Sequence, residues 1–372
     1  MFYSPLASRA EARFAALDRL RQRKGEALAA RGFGPVKTGW SPVADLPGLT
    51  VRRYGDPGLK GPSLLIVPAP IKQPYIWDLE PAVSAVKHLL DGGVRVFLAA
   101  WKKVGPLTAE LGLADYGDRL IGEALDAVRA ETGEERVFLA GHSLGGTLSA
   151  LYGSLHPERV RGLLILESPL SFGGNTGAFS KLFKWKREPD PTLRPIPVPG
   201  SLLSMSSLAA SPRTFGWERY EDRLATVGDK EARATHLRVE RWTLDEFAMP
   251  RPLFQQVTTW LYGEDRFMAG TLELNGRIAA PAGLTMPLLG VADPRSKVVP
   301  FSSLETCFAA AASAQKEILP YEGDIGVALQ HVGVLVGRNA HRLIWPKILE
   351  WMLAAQGQET RAQETRGQET GS

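Results

Sequence analysis

Apolar residues along this chain fall into two recurring patterns. Short, nearly continuous apolar runs occur at Leu64 to Val67, Val94 to Leu98, Val137 to Ala140, Leu163 to Leu166 and Pro287 to Val291, and each reads as a buried strand. Between them apolar positions recur at helical spacing. Val83, Val86, Leu89 and Leu90 mark a helix over Pro81 to Leu90, and Tyr116, Leu120, Ile121, Leu125 and Val128 mark one over Leu113 to Ala130. Strands alternating with amphipathic helices predict an α/β fold with a doubly wound, mostly parallel sheet covered on both faces. Leu49 to Tyr54 predicts an edge strand and Glu317 to Leu319 the last strand. Ser302 to Ala314 predicts a helix, and Asn339 to Ala355 a closing helix interrupted at Pro346.

The alternation stops between residues 171 and 285. Pro189 to Pro199 is proline-rich, Gly173 to Gly177 reads as loop, and Leu237 to Leu244 and Leu253 to Tyr262 read as helices. The glycine run lacks the Gly-Lys-Ser/Thr that a phosphate loop requires. An insertion of this size between core strands predicts a cap over the active site. The resulting division is an N-terminal basic helix and linker (1–47), a first core segment (48–170), the cap (171–285), a second core segment (286–355) and a polar tail (356–372). The tail is a Gln-Glu-Thr-Arg repeat with nothing to bury, and disorder is expected there.

Leu6 to Ala30 predicts the N-terminal helix. It carries Arg9, Arg13, Arg19, Arg21, Arg23 and Lys24 around a narrow stripe of Phe14, Leu17 and Leu20. The stripe predicts docking on the body; the second reading is a surface that meets a partner.

Composition narrows the possibilities. With 372 residues, 44% hydrophobic and 23% charged, the chain is an ordinary globular protein large enough for a substantial core. The net charge of +4 is dispersed, which argues against nucleic acid. A single cysteine, Cys307, rules out a disulfide framework and a Cys-based zinc site. With no h-region and no run of about 18 apolar residues, a soluble, cytoplasmic protein is expected. No H-E-x-x-H or G-x-G-x-x-G points to a metal or a dinucleotide.

The chemistry concentrates at Val137 to Ser149, VFLAGHSLGGTLS. An apolar strand, Gly141-His142-Ser143-Leu144-Gly145 and then helical spacing at Leu148, Leu151, Tyr152 and Leu155 describe a nucleophile elbow of the α/β-hydrolase fold. Ser143 needs a general base, and that base needs an orienting acid, in the chain order Ser, acid, His. Asp293 ends the strand after the cap and is the expected acid; Asp265 and Asp324 end no clear buried strand. Of six histidines, His331 alone lies in a loop after the last strand and ahead of a final helix, and is the expected base. Leu144 supplies one oxyanion N–H. The other comes from Pro68-Ala69-Pro70-Ile71-Lys72, where prolines cannot donate; Ala69 and Ile71 are the choices, and Ile71 is preferred.

These stretches resemble the polyhydroxyalkanoate synthases, above all the short catalytic subunits of the two-subunit kind. The resemblance runs through LLIVPAPIKQPYIWDLEP (64–81), LADYGDRLIGEALDAV (113–128), GHSLGGTLSALYGSLHPERV (141–160), RVERWTLDEF (238–247), GTLELNGR (270–277), MPLLGVAD (286–293) and HVGVLVG (331–337). It implies a capped α/β-hydrolase fold and a nucleophile–Asp–His triad at Ser143, Asp293 and His331. It also implies acyl transfer from hydroxyacyl coenzyme A thioesters, with a second synthase-type subunit or a polyester granule as partner and no cofactor. Three departures stand out. The synthases carry cysteine in the elbow where this chain has Ser143. Gln330 replaces a usual glycine, and Asp293 stands farther from Val299-Pro300 than the family pattern. A serine acyl-enzyme is a stable oxyester that usually passes its acyl group to water, so hydrolysis of hydroxyacyl esters or thioesters is the leading expectation. The alternatives are polymer synthesis from hydroxyacyl coenzyme A and a non-catalytic protein that binds a granule or a synthase.

Overall fold

The computed structural model describes residues 5–173, 177–182 and 196–370. The strands are β1 Trp40–Asp45, β2 Leu49–Tyr54, β3 Ser63–Val67, β4 Arg95–Trp101, β5 Val137–His142, β6 Val160–Leu166, β7 Leu272–Leu274, β8 Arg277–Ala279, β9 Leu288–Ala292 and β10 Lys316–Pro320. Eight of them form one sheet in the order β1-β2-β4-β3-β5-β6-β9-β10, and β7 and β8 form a separate hairpin. β1 and β2 run antiparallel to their neighbours, and the other pairings are parallel.

The sheet is two-faced in the way its unbroken apolar runs demand. Leu65, Val67, Leu139 and Ile165 pack into one core; Leu64, Ile66, Phe138, Ala140 and Leu164 alternate with them into the other. Each such Leu, Ile, Val or Phe side chain contributes about 1.5–3 kcal/mol by leaving water, so the centre of the sheet is the rigid base of the molecule. The flanking core helices are α2 Ala85–Asp91, α3 Leu120–Thr132, α4 Leu144–Leu155, α11 Phe301–Ala310, α12 Gly333–Val336 and α13 Trp345–Thr370. Ser84 caps α2 by accepting from the Lys87 N–H, and Gly133 ends α3 in the left-handed region, φ 73°.

Between β6 and β9 the chain leaves the sheet, as the lost alternation predicts. The helices there are α5 Gly177–Leu182, α6 Gly200–Ala210, α7 Glu218–Ala225, α8 Lys230–Thr243, α9 Arg251–Gln256 and α10 Arg266–Ala269. The middle of the glycine run, 174–176, and the proline-rich stretch as far as residue 195 lie outside the described residues.

Four expectations need correction. The connection before Leu49 holds a strand, β1, so β2 is not the edge; β1 is largely exposed and carries Pro42, so it shows neither an apolar run nor clean alternation. The N-terminal helix α1, Pro5–Leu28, does dock, but Leu17 and Leu20 stay exposed. Its inward line is Phe14, Asp18, Arg21 and Gly25: Asp18 accepts the Ser201 N–H at 2.7 Å, and Arg21 donates to the Thr243 carbonyl at 2.7 Å. Pro346 does not interrupt the closing helix, because it falls where a wide turn, Ala340–Ile344, passes into α13 and the hydrogen-bond ladder is already rearranged. The polar repeat continues α13 to Thr370 instead of leaving it disordered. Buried Trp345, Ile348 and Met352 nucleate that helix, and Gln, Glu, Arg and Ala extend it readily.

Candidate active site

Ser143 sits between β5 and α4 at φ 56°, ψ −132°, a region that non-glycine residues avoid at a cost of about 1–3 kcal/mol. Close approach explains the glycines around it. A Cβ on Gly145 would lie 2.1 Å from the Val67 carbonyl oxygen, and one on Gly146 2.0 Å from Ser168 Oγ. The Ser143 N–H donates to the Leu166 carbonyl at 3.1 Å, tying the elbow to β6. α4 starts at Leu144, so its free N–H groups and positive end lie beside the serine.

Ser143 and His331 line the same cavity of about 280 Å³, whose wall is mostly apolar and comes partly from the cap. His331 lies in a short turn, Gln330–Val332, after β10. His142 Nε2 is 2.7 Å from the His331 carbonyl oxygen; a carbonyl only accepts, so the proton is assigned to Nε2. Burial pushes His331 down to about 4 and His142 to about 3, so both rings are neutral at pH 7. The loop ahead of His331 is held from the cap. Asp222 of α7 accepts the Gly326 N–H at 2.8 Å and the Ala328 N–H at 2.7 Å, and Ala328 is in the left-handed region at φ 56°. Gln330 accepts the Asp324 N–H at 3.1 Å, which gives the glutamine a structural use.

The carboxylate beside His331 keeps the chain order Ser, acid, His, but it is not that of Asp293. Asp293 ends β9 and is buried, but its carboxylate faces Arg295: Oδ1 accepts from the Arg295 N–H at 2.8 Å and from Nε at 3.0 Å, and Oδ2 lies 3.2 Å from Nη2. Among the described residues, the carboxylate paired with a His331 ring nitrogen is that of Glu167, with Oε2 3.7 Å from Nδ1. Glu167 directly follows β6, is 1% exposed and has φ 43°. Its Oε2 and His331 Nδ1 are both buried without a hydrogen-bond partner. Burial, aided by the Asp293 charge, pushes Glu167 up to about 8, against hydrogen bonds from the Asp293 N–H and Ser296. No sequence pattern singles out Glu167 as the acid. Its signal is a lone acid closing the apolar run LLIL. The other two candidates hold loops. Asp265 accepts the Gly173 N–H at 2.7 Å, and Asp324 accepts the Tyr321 hydroxyl at 2.7 Å and the Asn339 N–H at 2.9 Å.

The loop after β3 brings Ala69 and Ile71 to the cavity wall. Trp101 Nε1 donates to the Pro68 carbonyl at 2.6 Å, and the Phe247 N–H donates to the Ile71 carbonyl at 3.0 Å. Lys72 donates to the Thr243 carbonyl at 2.8 Å and to Glu246 at 2.5 Å, while Arg21 lies 2.9 Å from the other Glu246 oxygen. Sheet, cap and N-terminal helix therefore meet at Glu246, whose side chain is 6% exposed.

Remaining groups are otherwise engaged. Cys307 is buried on α11, and burial raises its thiol to about 12, which leaves it inert. His156 bonds Asp118 at 2.6 Å, His236 bonds Asp222 at 2.7 Å, and His341 stacks on Trp345. Among the described residues no three His, Cys, Asp or Glu side chains converge to hold a metal, and no helix is long and apolar enough to cross a membrane.

Comparison with known proteins agrees with this architecture. A family model of the alpha/beta hydrolase fold matches residues 78–192. The chain is similar to the poly(3-hydroxyalkanoate) polymerase subunit PhaC of Haloferax mediterranei, 28% identical over 302 residues, which are 80% of this chain and 59% of that one. It is similar to the subunit of the same name from Allochromatium vinosum, 27% identical over 327 residues, 85% of this chain and 90% of that one. The crystal structure of the Paleococcus ferrophilus monoacylglycerol lipase superposes with a TM-score of 0.52 at 15% identity, covering 82% of this chain and 99% of that one. With the sheet order, these matches establish the α/β-hydrolase fold.

Proposed function

We propose that this α/β-hydrolase-fold enzyme, similar along most of its length to poly(3-hydroxyalkanoate) polymerase subunits, transfers acyl groups through Ser143. The observation that carries the reading is the strained elbow, which presents Ser143 to a cavity it shares with a largely buried, neutral His331. In the first half-reaction Ser143 Oγ attacks the acyl carbonyl while His331 Nε2 takes its proton. The bond to the thiol or alcohol then breaks, and the leaving group takes that proton from Nε2. The Leu144 and Ile71 N–H groups are the proposed donors to the oxyanion, each worth roughly 100- to 1000-fold in rate. A carboxylate at Nδ1 keeps the proton there and Nε2 free.

The second half-reaction decides the product. An oxyester on serine is a poorer donor than a thioester, and water as acceptor gives hydrolysis of hydroxyacyl esters or thioesters. The cavity of about 280 Å³ is at the small end for ligand sites and suits short acyl groups. The alternative, a hydroxyl of a growing polyester as acceptor, is favoured by the similarity to the polymerase subunits. A granule or second subunit as partner is supported by exposed apolar side chains on and beside α6 and α7, Met205, Leu208, Trp217 and Leu224 among them.

Mass spectrometry of the intact protein after exposure to 3-hydroxybutyryl coenzyme A and to p-nitrophenyl esters tests the reading. One acyl adduct that disappears in Ser143→Ala is expected, with free acid as product. No adduct and no turnover from either donor sinks it, and coenzyme A release coupled to polymer selects the alternative.

A further inference from the structure

We propose that Glu167 is the positioning residue that orients His331, and that Asp293 holds Glu167 rather than the histidine. This rests on the Ser143–His331 reading above and deepens it.

Topology makes the exchange reasonable. In the sheet order, β6 lies next to the nucleophile strand β5, and β9 lies one strand farther out. An acid at the end of β6 therefore starts about 5 Å closer to the elbow, and glutamate is one methylene longer than aspartate. The Glu167 N–H donates to the Val291 carbonyl at 2.8 Å, so its backbone is fixed to β9. The Asp293 N–H in turn donates to Glu167 Oε1, and Ser296 bonds the same carboxylate. Oε1 is thus occupied, and Oε2 is left to face His331.

Two buried polar atoms without partners are rare and costly. Here the two, Glu167 Oε2 and His331 Nδ1, are 3.7 Å apart and face each other. A closing movement of roughly 0.7 Å would make them a hydrogen bond, and catalytic hydrogen bonds commonly tighten only in the reacting complex. Glu167 also holds a left-handed backbone at φ 43°, a strain retained at functional positions more than elsewhere. Asp293 has no comparable vacancy, since both its oxygens are bonded to Arg295.

The pair has a titration of its own. The groups nearest it are Asp293 and Ser296 on the loop after β9, Tyr321 after β10, and His142, whose ring centre is 4.7 Å from that of His331; Arg213 and Glu218 of the cap, with Arg295, Lys297, Glu322 and Asp324, line a polar cavity that both members of the pair also line. Below about 8 the carboxyl is protonated, and once the pair closes it donates to Nδ1, which puts the ring's own proton on Nε2, the wrong place for a base. Loss of the carboxyl proton lets Nδ1–H donate to Oε2 and frees Nε2. Activity therefore rises with pH through a limb near 8.

The experiment is the rate of Ser143 labelling by a fluorophosphonate, and of p-nitrophenyl ester turnover, from pH 5 to 9.5. The proteins are wild type, Glu167→Gln, Glu167→Asp and Asp293→Asn, each checked by circular dichroism. Glu167→Gln is nearly isosteric; it should fold and lose on the order of 1000-fold, together with the limb near 8. Glu167→Asp should recover part of the rate and keep an alkaline limb. Asp293→Asn should lose less than about tenfold and keep the limb. If Asp293→Asn shows the large loss, or Glu167→Gln keeps the wild-type limb, Glu167 is not the positioning acid. A wild type that takes no label overturns the Ser143 reading and this inference with it. A labelled wild type with the two variants reversed overturns this inference alone.

Discussion

His142 Nε2 is 2.7 Å from the backbone carbonyl of His331, with the two rings tilted 46°. The residue before the nucleophile thus fixes the main chain of the residue proposed as its base. His142→Phe keeps a ring but leaves a buried carbonyl without a donor, a loss of about 1–3 kcal/mol. The urea midpoint should fall and ester turnover should fall with it. His142→Gln, which can donate, should recover part of both. Unchanged stability and turnover in His142→Phe would show that the contact does not position the loop.

Asp222 couples the cap to the same loop from the other side. Its carboxylate takes the Gly326 and Ala328 N–H groups and the buried His236 Nδ1. Asp222→Ala strands all three donors and releases a segment whose Ala328 is held at φ 56°. The expected destabilisation is about 2 kcal/mol or more, with faster amide exchange at residues 326–331. Exchange protection equal to wild type would remove Asp222 from this role.

Much of this was legible in the sequence, and the reasons are local. β3, β5 and β9 are buried along their whole length and read as unbroken apolar runs. The elbow announces itself because crowding forces glycine at 141, 145 and 146. What escaped depends on distant partners. β1 has half-exposed positions and a proline, so its strand character comes only from pairing with β2. The docking face of α1 is chosen by Ser201, Thr243 and Glu246, all in the cap. Asp293 does end a buried strand, as its position predicts, yet Arg295, two residues on, captures its carboxylate. Glu167's importance arises from where His331 folds back, which no local pattern records.

Glu246 joins three parts of the molecule through Lys72 and Arg21. Lys72 is pushed down to about 8 chiefly by burial, with Glu246 opposing the shift. Glu246→Ala leaves that ammonium without its carboxylate, and the stability lost should be on the order of 3 kcal/mol. The paired change Lys72→Met with Glu246→Leu removes the Lys72–Glu246 pair and should recover the share that Lys72 accounts for, while Arg21 keeps its bond to the Thr243 carbonyl. Because Lys72 follows Ile71, the single variant should also slow Ser143 labelling. A double variant no more stable than Glu246→Ala would contradict this account, as measured by chemical unfolding.

Burial of the site also sets how stability depends on pH. His331 and His142 have ordinary values of 6.5 and are depressed in the fold to about 4 and about 3. Below 6.5 the unfolded chain takes up protons that the folded chain refuses, so their contribution is lost as pH falls from 6.5 through 4. Glu167 has the opposite sign: its ordinary value is 4.5 and its folded value about 8. The folded chain holds that proton more tightly, so its contribution is complete below 4.5 and lost as pH rises through 8. Glu167→Gln cannot ionise and is spared the alkaline loss. The difference in urea midpoint, variant minus wild type, should therefore grow steadily from pH 5 to pH 8.5 and then level. A difference that stays flat across that range would mean that Glu167 ionises in the folded protein as easily as in water.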